Sequence, residues 1–418
     1  MNVEEIEAKS LVRMSGPSIF SWAEIYLNPY QGCFHDCKYC DGNSEHYHMH
    51  DDFSGKLKVK INAPQLFEKF LKSKGFNSVH RKEQYEMFDF FPGLKEDKKR
   101  YRVAKSIINI GGGVCDVYQP LEEEVKMTRK LLEIVYDYQM PLWILTKNDL
   151  VLRDIDLIKE INKETYACVN FTITLANERE QKIFEPGAST TEERFQAIKE
   201  FRKAGIHSGV YFYPTLPFIG DTEENIKNIY ERAKKVDTEF IFCGSLTLKP
   251  GRNKNEFLQT IKQNFPQFLS NYEILYGNNN KYGMLDIEKF NEFNLVWPEI
   301  KGFKYGYELG LDFAAERYVP DGRLFMNLKI SELFRKITYI QNSFLNESKY
   351  IIQAFSMAAQ FIEKSTKDFA LLSDDDYDAM PVADYVKLVI KEYIKNNSSD
   401  YLNNLENLAY NKILEKYY

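Results

Sequence analysis

Between residues 20 and 250, short apolar runs rich in β-branched and aromatic residues alternate with longer stretches whose apolar positions recur at helical spacing. The short runs predict six strands, at residues 24–30, 106–110, 142–146, 168–175, 207–213 and 239–246. Strands that alternate with helices predict an α/β fold with a parallel sheet. Six such units favour a partial (βα)6 barrel of the TIM type over the full eight-stranded form.

The stretches between the strands carry their apolar residues on one helical face. Residues 121–138 and 191–204 show this spacing, and Gly205 stands where a helix-terminating glycine is expected. Residues 221–236 read similarly, as do residues 64–74, which have Pro64 in the first turn. Each predicted helix therefore offers one apolar face to the sheet.

The alternation defines three parts of the chain. Residues 1–20 are an N-terminal extension, and residues 21–250 form the predicted barrel, with a charged and aromatic insertion at about residues 75–102. After Pro250 and Gly251 the alternation stops. Residues 251–418 are rich in Tyr and Phe and predict a mainly helical C-terminal region, with long helical stretches at 330–347 and 350–364.

Composition and charge exclude several classes of protein. The 418 residues are 44% hydrophobic and 28% charged, which excludes a wholly disordered or fibrous chain. The apolar runs are far shorter than the ~20 residues that span a bilayer, and the first five residues are acidic where a signal peptide would be basic. We therefore expect a cytoplasmic protein without a membrane segment. The net charge of −6 gives no support for nucleic-acid binding, although a local basic groove is compatible with it.

The cysteines provide the first sign of chemistry. Six cysteines are too few for a disulfide scaffold, yet Cys33, Cys37 and Cys40 lie within eight residues, directly after the first predicted strand. Soft thiolates select zinc, copper(I) or iron–sulfur clusters. Three thiolates at this spacing can bind three irons of a cubane and leave the fourth iron open to a substrate or cofactor. The alternative is a zinc site completed by His35, although a second separated pair of ligands, usual in structural zinc sites, is not seen in the sequence.

The C-x3-C-x2-C loop, with Tyr39 before its last cysteine and a βα barrel around it, resembles that of the radical S-adenosylmethionine (SAM) enzymes, and most closely their spore photoproduct lyase-like branch. Six motifs of that branch occur in order between about residues 24 and 250. They are NPYQGC at 28–33, DVYQPLE at 116–122, LTKN at 145–148, TIT at 172–174, EPG at 185–187 with Arg194, and PTLPFIGD at 214–221.

This resemblance implies a [4Fe-4S] cluster whose open iron binds SAM, and reductive cleavage of SAM to a 5′-deoxyadenosyl radical that abstracts hydrogen from a substrate. A flavodoxin or ferredoxin is the expected electron donor. The branch suggests repair of a DNA photolesion, so DNA is a candidate partner, while a peptide, an RNA or a small metabolite is the alternative substrate. The alternative of another class is a non-catalytic module that binds zinc or an iron–sulfur cluster.

Further residues are candidates for contact with SAM. Gly111, Gly112 and Gly113 end the second strand, where absent side chains let backbone approach a ligand, and a tight turn that needs no ligand is the alternative. Lys147 closes the third strand at the end of the barrel where active sites lie, and an anionic partner such as the SAM carboxylate suits it. Tyr39 corresponds to the aromatic residue that lies by the adenine in the family.

Thr172 and Thr174 share one face of the fourth strand, and their hydroxyls are candidate contacts for the ribose or the carboxylate of SAM. The simpler explanation is the preference of threonine for half-buried strands.

Cys115 is a candidate hydrogen-atom donor, because it follows the glycine run at the active-site end of a strand. The family's donor aligns nearer Gly113, and the simpler role is a small buried apolar residue, as we expect for Cys168 and Cys243. The run from His46 to His50 predicts a solvated or substrate-facing loop, with a second metal site as the alternative.

Overall fold

The computed structural model describes residues 2–47, 49–79, 106–111, 114–320 and 324–418. Residues 80–102 of the predicted insertion lie outside the described residues. The strands are β1 Asn2–Ile6, β2 Val12–Met14, β3 Ala23–Leu27, β4 Tyr30–Gln31, β5 Lys56–Lys60, β6 Ile107–Ile110, β7 Leu142–Thr146, β8 Ala167–Thr172, β9 Val210–Thr215 and β10 Ile241–Ser245.

The described helices of the first 250 residues are α1 Ala63–Ser73, α2 Glu122–Val125, α3 Met127–Asp137, α4 Ile155–Glu164, α5 Glu178–Phe184, α6 Thr191–Lys203 and α7 Glu223–Lys235. The C-terminal region continues with α8 Arg252–Asn264, α9 Leu269–Leu275, α10 Ile287–Glu292, α11 Pro298–Leu309, α12 Phe325–Ile340, α13 Lys349–Lys364, α14 Asp374–Asp378, α15 Asp384–Asn396 and α16 Asp400–Tyr417. The prediction of a mainly helical C-terminal region is confirmed. No helix among the described residues combines the length and apolar character needed to cross a membrane.

The main sheet has seven strands in the order β10-β9-β8-β7-β6-β3-β2. Strands β3 and β6 to β10 run parallel and follow one another in chain order, whereas β2 pairs antiparallel with β3. The six predicted strands and the α/β fold class are therefore confirmed. Because parallel strands end at the same edge of a sheet, the loops after β3, β6, β7 and β8 meet at one mouth.

The first predicted strand divides into two strands that belong to different sheets. Strand β3 ends at Leu27, and the side chain of Asn28 accepts a hydrogen bond from the Tyr30 amide at 2.9 Å, which turns the chain. Strand β4 then joins a small separate sheet of order β1-β5-β4. The cysteine loop therefore leaves the barrel through a turn and is braced by a second sheet.

One predicted helix is also divided. Residues 121–138 form α2 and α3, separated at Lys126, which has a left-handed backbone with φ of 52°. The buried carboxylate of Glu122 accepts a hydrogen bond from the Thr128 amide at 3.1 Å, and so stabilises the first turn of α3 instead of continuing α2.

The two faces of the sheet belong to different cores. Alternate residues, such as Leu142 and Ile144 on β7, pack against the surrounding helices, whereas Trp143 packs on the inner face with Cys168 and Tyr211. The helices and the barrel interior therefore hold the strand ends, and with them the mouth, in place.

The C-terminal region closes the open side of the barrel. The carbonyl of Asp312 accepts a hydrogen bond from the Ile241 amide on β10 at 2.9 Å, and the carbonyl of Ala315 accepts one from the Trp22 indole, just before β3, at 2.7 Å. Residues 312–315 therefore connect the first and last parallel strands. Helices α11 to α16 build a separate apolar core beyond this connection.

Candidate functional site

The cysteine loop is anchored on both sides before its first cysteine. The side-chain amide of Asn28 donates to the carbonyl of Cys115 at 2.6 Å, and the main-chain amide of Cys33 donates to the carbonyl of Phe53 at 3.0 Å. Gly32 has a φ of 87°, and a Cβ there would lie 2.4 Å from the carbonyl oxygen of Lys56. Only glycine fits this position, so the turn into the loop is set by close backbone packing.

The segment after β6 contributes a network that joins the loop to β7. The Gln119 amide oxygen accepts from the Phe34 amide at 2.9 Å, while its nitrogen donates to the carbonyl of Gly32 at 3.3 Å. The carboxylate of Asp116 accepts from the Thr146 hydroxyl at 2.8 Å and from the Lys147 amide at 2.7 Å. Asp116 and Gln119 therefore connect the loops that follow β3, β6 and β7.

His35 is buried within this network. Its Nδ1 lies 3.4 Å from a carboxylate oxygen of Asp116, and its Nε2 lies 3.3 Å from the side-chain nitrogen of Asn148. Burial alone would raise the pKa of Asp116, but His35 and the hydrogen bonds from Tyr118 and Thr146 hold that pKa at about 2. Because both ring nitrogens face Asp116 and Asn148, the zinc alternative would require His35 to leave these partners.

The thiols of the loop lie in one another's electrostatic field. Cys33 and Cys115 are buried, and Cys37 and Cys40 are partly exposed. Desolvation raises the pKa of all four thiols, to about 12 for Cys115, and the charge of Cys33 is opposed by Asp116, Cys115, Cys37 and Cys40. Such a group of desolvated sulfurs is favourable as thiolates only beside a cationic centre.

This donor set fits an iron–sulfur cluster. Within the described residues, no group of three or more His, Cys, Asp or Glu side chains is arranged so that it could hold a metal ion. In a cubane each cysteine binds a different iron, so the sulfurs need not converge on a single ion. The three thiols of the loop lie close enough for the charges of Cys37 and Cys40 to act on Cys33, which agrees with that requirement.

Lys147 brings positive charge to the same place. It follows the last residue of β7, and its Nζ lies 5.8 Å from the centroid of the Tyr39 ring. Burial disfavours its charged form, but Cys37, Glu185 and Asp116 raise its pKa above the ordinary value. Among the described residues its Nζ has no hydrogen bond or ion pair, so this cation is available to an anionic ligand.

Glu185 and Arg194, predicted only as part of a family motif, form a buried ion pair at the site. Both side chains are fully buried, and Arg194 lies 2.5 Å from Glu185. The carboxylate of Glu185 also accepts hydrogen bonds from the Tyr39 hydroxyl and, at 3.0 Å, from the Thr174 hydroxyl. Burial would raise the pKa of Glu185, but the charges of Arg194 and Lys147 lower it to about 2.

The residues predicted to contact SAM differ in the contacts that the structure shows for them. Thr174 donates its hydroxyl to Glu185, and the carbonyl of Thr172 accepts from Arg194 at 2.8 Å, so both residues take part in this buried pair. Gly111 has a φ of 92°, and a Cβ there would lie 2.7 Å from a methyl of Val117, so it needs glycine for backbone reasons alone. Gly112 and Gly113 lie outside the described residues.

Cys115 lies beneath the cysteine loop. Its side chain is 2% exposed, and its thiol lies close enough to Cys40 and Lys60 for their charges to affect its pKa. The prediction that it lies at the active-site end of the strand agrees with this placement, and its role as a donor stays a prediction. Cys168 and Cys243 are buried in the apolar cores, as expected.

The histidine run does not converge on one point in the described part of the chain. His46 contacts the hydroxyl of Ser44 at 3.1 Å, whereas His50 lies beneath Gly32, with its Nε2 3.1 Å from where a glycine Cβ would be built. Asp51 is bound instead by Arg252. His48 lies outside the described residues, so the second metal site stays untested.

Basic side chains around the mouth are neutralised by acidic neighbours. Lys249 pairs with Asp41, and Lys38 lies 3.0 Å from Glu256 on α8. The side chain of Asn253, also on α8, donates to the carbonyl of Cys40 at 2.9 Å. The C-terminal region therefore holds the last turn of the cysteine loop and leaves little surplus positive charge there.

Gly187 makes the tightest backbone contact with the loop and carries a testable consequence. A Cβ at this position would lie 2.1 Å from the carbonyl oxygen of Phe34, which is backbone and has no rotamer to change. We expect Gly187→Ala to lower the free energy of unfolding by about 3 kcal/mol, measured by chemical denaturation. Gly16→Ala is the control, since its Cβ would have no neighbour within 4 Å, and its cost is expected to stay below about 0.5 kcal/mol. An equal effect of the two substitutions would contradict the packing argument.

A parallel barrel with a three-cysteine loop at its mouth is the architecture of the radical SAM class. The family model of the radical SAM superfamily matches residues 27–233. The chain belongs to this superfamily, as its motifs predicted, and the family implies a [4Fe-4S] cluster and SAM as cofactors.

Individual proteins to which the chain is similar include an uncharacterized protein of Methanocaldococcus jannaschii, 28% identical over 66% of this chain and 87% of that protein. The radical SAM Nalpha-GlyT isomerase of Pseudomonas phage M6 is 24% identical over 35% of this chain and 30% of its own length. Among solved structures, spore photoproduct lyase complexed with dinucleoside spore photoproduct has a TM-score of 0.48 and 16% identity, and covers 73% of this chain and 79% of its own.

Proposed function

We propose that this protein is a radical SAM enzyme that binds a [4Fe-4S] cluster through Cys33, Cys37 and Cys40 and abstracts hydrogen from an organic substrate. The observation that carries this proposal is the grouping of three thiols in the loop after β3, close enough for their charges to act on one another. Lys147 at the end of β7 acts on two of them, Cys37 and Cys40, and its Nζ has no hydrogen bond or ion pair among the described residues. When bound, the cluster and SAM supply reductive cleavage of the sulfonium and a 5′-deoxyadenosyl radical.

The protein's own residues supply binding and orientation. Lys147 offers a cation to the carboxylate of SAM, and Tyr39 offers an aromatic face to the adenine. The glycine run from Gly111 to Gly113 lacks side chains that would keep the main chain away from the amino group of SAM. Thr174 and the carbonyl of Thr172 contact the buried pair of Glu185 and Arg194, and direct contact of the two threonines with SAM stays a prediction.

The first substrate to test is spore photoproduct in DNA, because the sequence motifs resemble those of the spore photoproduct lyase-like branch. One observation favours the alternative of a peptide or a small metabolite. Lys249, Lys38 and Arg252 are neutralised by Asp41, Glu256 and Asp51, so these bases are not available to phosphates.

The proposal is tested by anaerobic reconstitution with iron and sulfide, followed by SAM and a reductant. We expect a brown protein with broad visible absorbance and release of 5′-deoxyadenosine, with reduced flavodoxin or ferredoxin able to replace dithionite. A colourless protein that binds zinc and releases no 5′-deoxyadenosine would support the non-catalytic alternative. Restored thymine from irradiated DNA would identify the lesion as the substrate, and SAM cleavage without it would direct the search to peptides and metabolites.

Cys115 is proposed as the residue that returns a hydrogen atom to the product radical. We expect Cys115→Ala to leave the rate of SAM cleavage within about twofold, because the thiol is not a cluster ligand, while the yield of correctly reduced product falls at least about tenfold. Product analysis by mass spectrometry measures this ratio, and an unchanged product distribution would assign Cys115 to packing.

A further inference from the structure

The segment from Phe184 to Gly187 holds the cysteine loop through its main chain. The Lys38 amide donates to the carbonyl of Phe184 at 2.8 Å, and the Gly187 amide donates to the carbonyl of His35 at 3.0 Å. These two bonds bracket Cys37. The segment therefore fixes the backbone between the first and last cysteines of the loop.

Between these two bonds, Glu185 connects the loop to the barrel through its carboxylate. One oxygen accepts from the Tyr39 hydroxyl and from Thr174, and the other accepts from Gln181 at 3.2 Å and faces Arg194 at 2.5 Å. The carboxylate is fully buried, so water does not compete for it. Both oxygens of the Glu185 carboxylate therefore have partners.

Arg194 joins this carboxylate to the strand end. Its guanidinium donates to the carbonyl of Thr172, the last residue of β8, at 2.8 Å and to the carbonyl of Ser189 at 2.6 Å. A guanidinium with several fixed acceptors has little freedom to rotate. Arg194 therefore fixes the position of Glu185 relative to the end of β8.

From these contacts we propose that Glu185, held by Arg194, is a positioning residue that sets the orientation of the Tyr39 ring beside the Lys147 amine. The proposal deepens the proposed function and rests on it. Glu185 acts through the Tyr39 hydroxyl. A ring fixed by its hydroxyl presents one face to a ligand at a defined distance from Lys147, which lowers the cost of ordering the site when SAM binds.

The experiment measures SAM affinity of the reconstituted full-length protein by calorimetry, together with iron content. Glu185→Gln keeps the shape but places an amide N–H against the guanidinium, and Tyr39→Phe removes only the hydroxyl. We expect each substitution to weaken SAM binding about tenfold with iron content unchanged. Because Glu185 acts through the Tyr39 hydroxyl, removal of that hydroxyl leaves Glu185→Gln nothing further to disturb, so the double variant is expected to bind about as weakly as Tyr39→Phe alone.

The control is Lys182→Ala, two residues before the segment, which removes an exposed hydrogen bond to the carbonyl of Pro186 and is expected to leave affinity unchanged. Fully additive losses in the double variant would show that the two residues act independently and would overturn the proposal, as would wild-type affinity in Tyr39→Phe. If Glu185→Gln fails to fold, Tyr39→Phe still decides, since it leaves the pair of Glu185 and Arg194 intact. A wild-type protein that binds neither iron nor SAM would instead refute the proposed function.

Discussion

Alanine at Cys40 is expected to remove the visible absorbance of the reconstituted protein and to reduce 5′-deoxyadenosine release to background. Cys40 closes the loop, and its thiol lies in the field of Lys147 and close to Cys115. A cluster held by two thiolates has lost one of its three protein ligands, so iron content is expected to fall from about four atoms per chain towards zero. Iron analysis and product chromatography measure the two effects.

Cys168→Ala is the matched control for this substitution. Cys168 is fully buried on the inner face of β8 and donates to the side chain of Asn170, away from the loop. We expect it to retain its iron and its turnover, with only a modest loss of stability. Full turnover in Cys40→Ala, or loss of iron in Cys168→Ala, would show that the ligands have been assigned to the wrong cysteines.

A chain that ends at Gly251 is expected not to fold into a stable barrel, although the sequence places a boundary there. The apolar core around Tyr39 and Leu216 takes many of its members from beyond that point. Six of these side chains are almost completely buried, namely Phe257, Ile261, Tyr272, Leu275, Tyr276 and Phe290.

Burial of each such side chain stabilises a protein by about 1.5–3 kcal/mol. Their combined loss is therefore of the order of 10 kcal/mol, comparable with the about 5–15 kcal/mol that stabilises a typical domain. Solubility and a cooperative thermal transition, measured beside the full-length chain, test this expectation. A soluble fragment of residues 1–251 that unfolds cooperatively would refute it.

Single substitutions test the same core in the full-length chain. Phe257→Ala is expected to cost about 3–5 kcal/mol because the ring is fully buried. Gln259→Ala, at an exposed position two residues along the same helix, is expected to change stability by less than about 0.5 kcal/mol.

The barrel strands were predictable because their signal is local. Residues 142–146 form a short apolar run between breaks, and the observed β7 has the same bounds. The short strands β1, β2 and β5 were missed, since charged residues interrupt their alternation and their stability comes from pairing partners elsewhere in the chain. The break at Lys126 was missed for a similar reason, because it depends on where Glu122 finds a partner.

In the candidate site, too, features with a local signal were predictable and those that depend on distant partners were not. The cysteine loop and Lys147 could be located from spacing and from their place at strand ends. His35, read as a possible zinc ligand, lies against Asp116, which comes eighty-one positions later, and no local pattern indicates that pairing. The buried contact of Glu185 with Arg194 could be found only once the fold placed α5, α6 and the loop together, although an acid and a base among the family motifs were a signal of it.

The hydrogen bond from Trp22 to Ala315 joins residues 293 positions apart. During synthesis at about 5–20 residues per second, Trp22 leaves the ribosome roughly 15–60 s before Ala315 does. During that interval the Trp22 indole, just before β3, lacks its partner from the C-terminal region. A stop codon anywhere before position 315 therefore leaves a product in which the Trp22 indole lacks this hydrogen-bond partner.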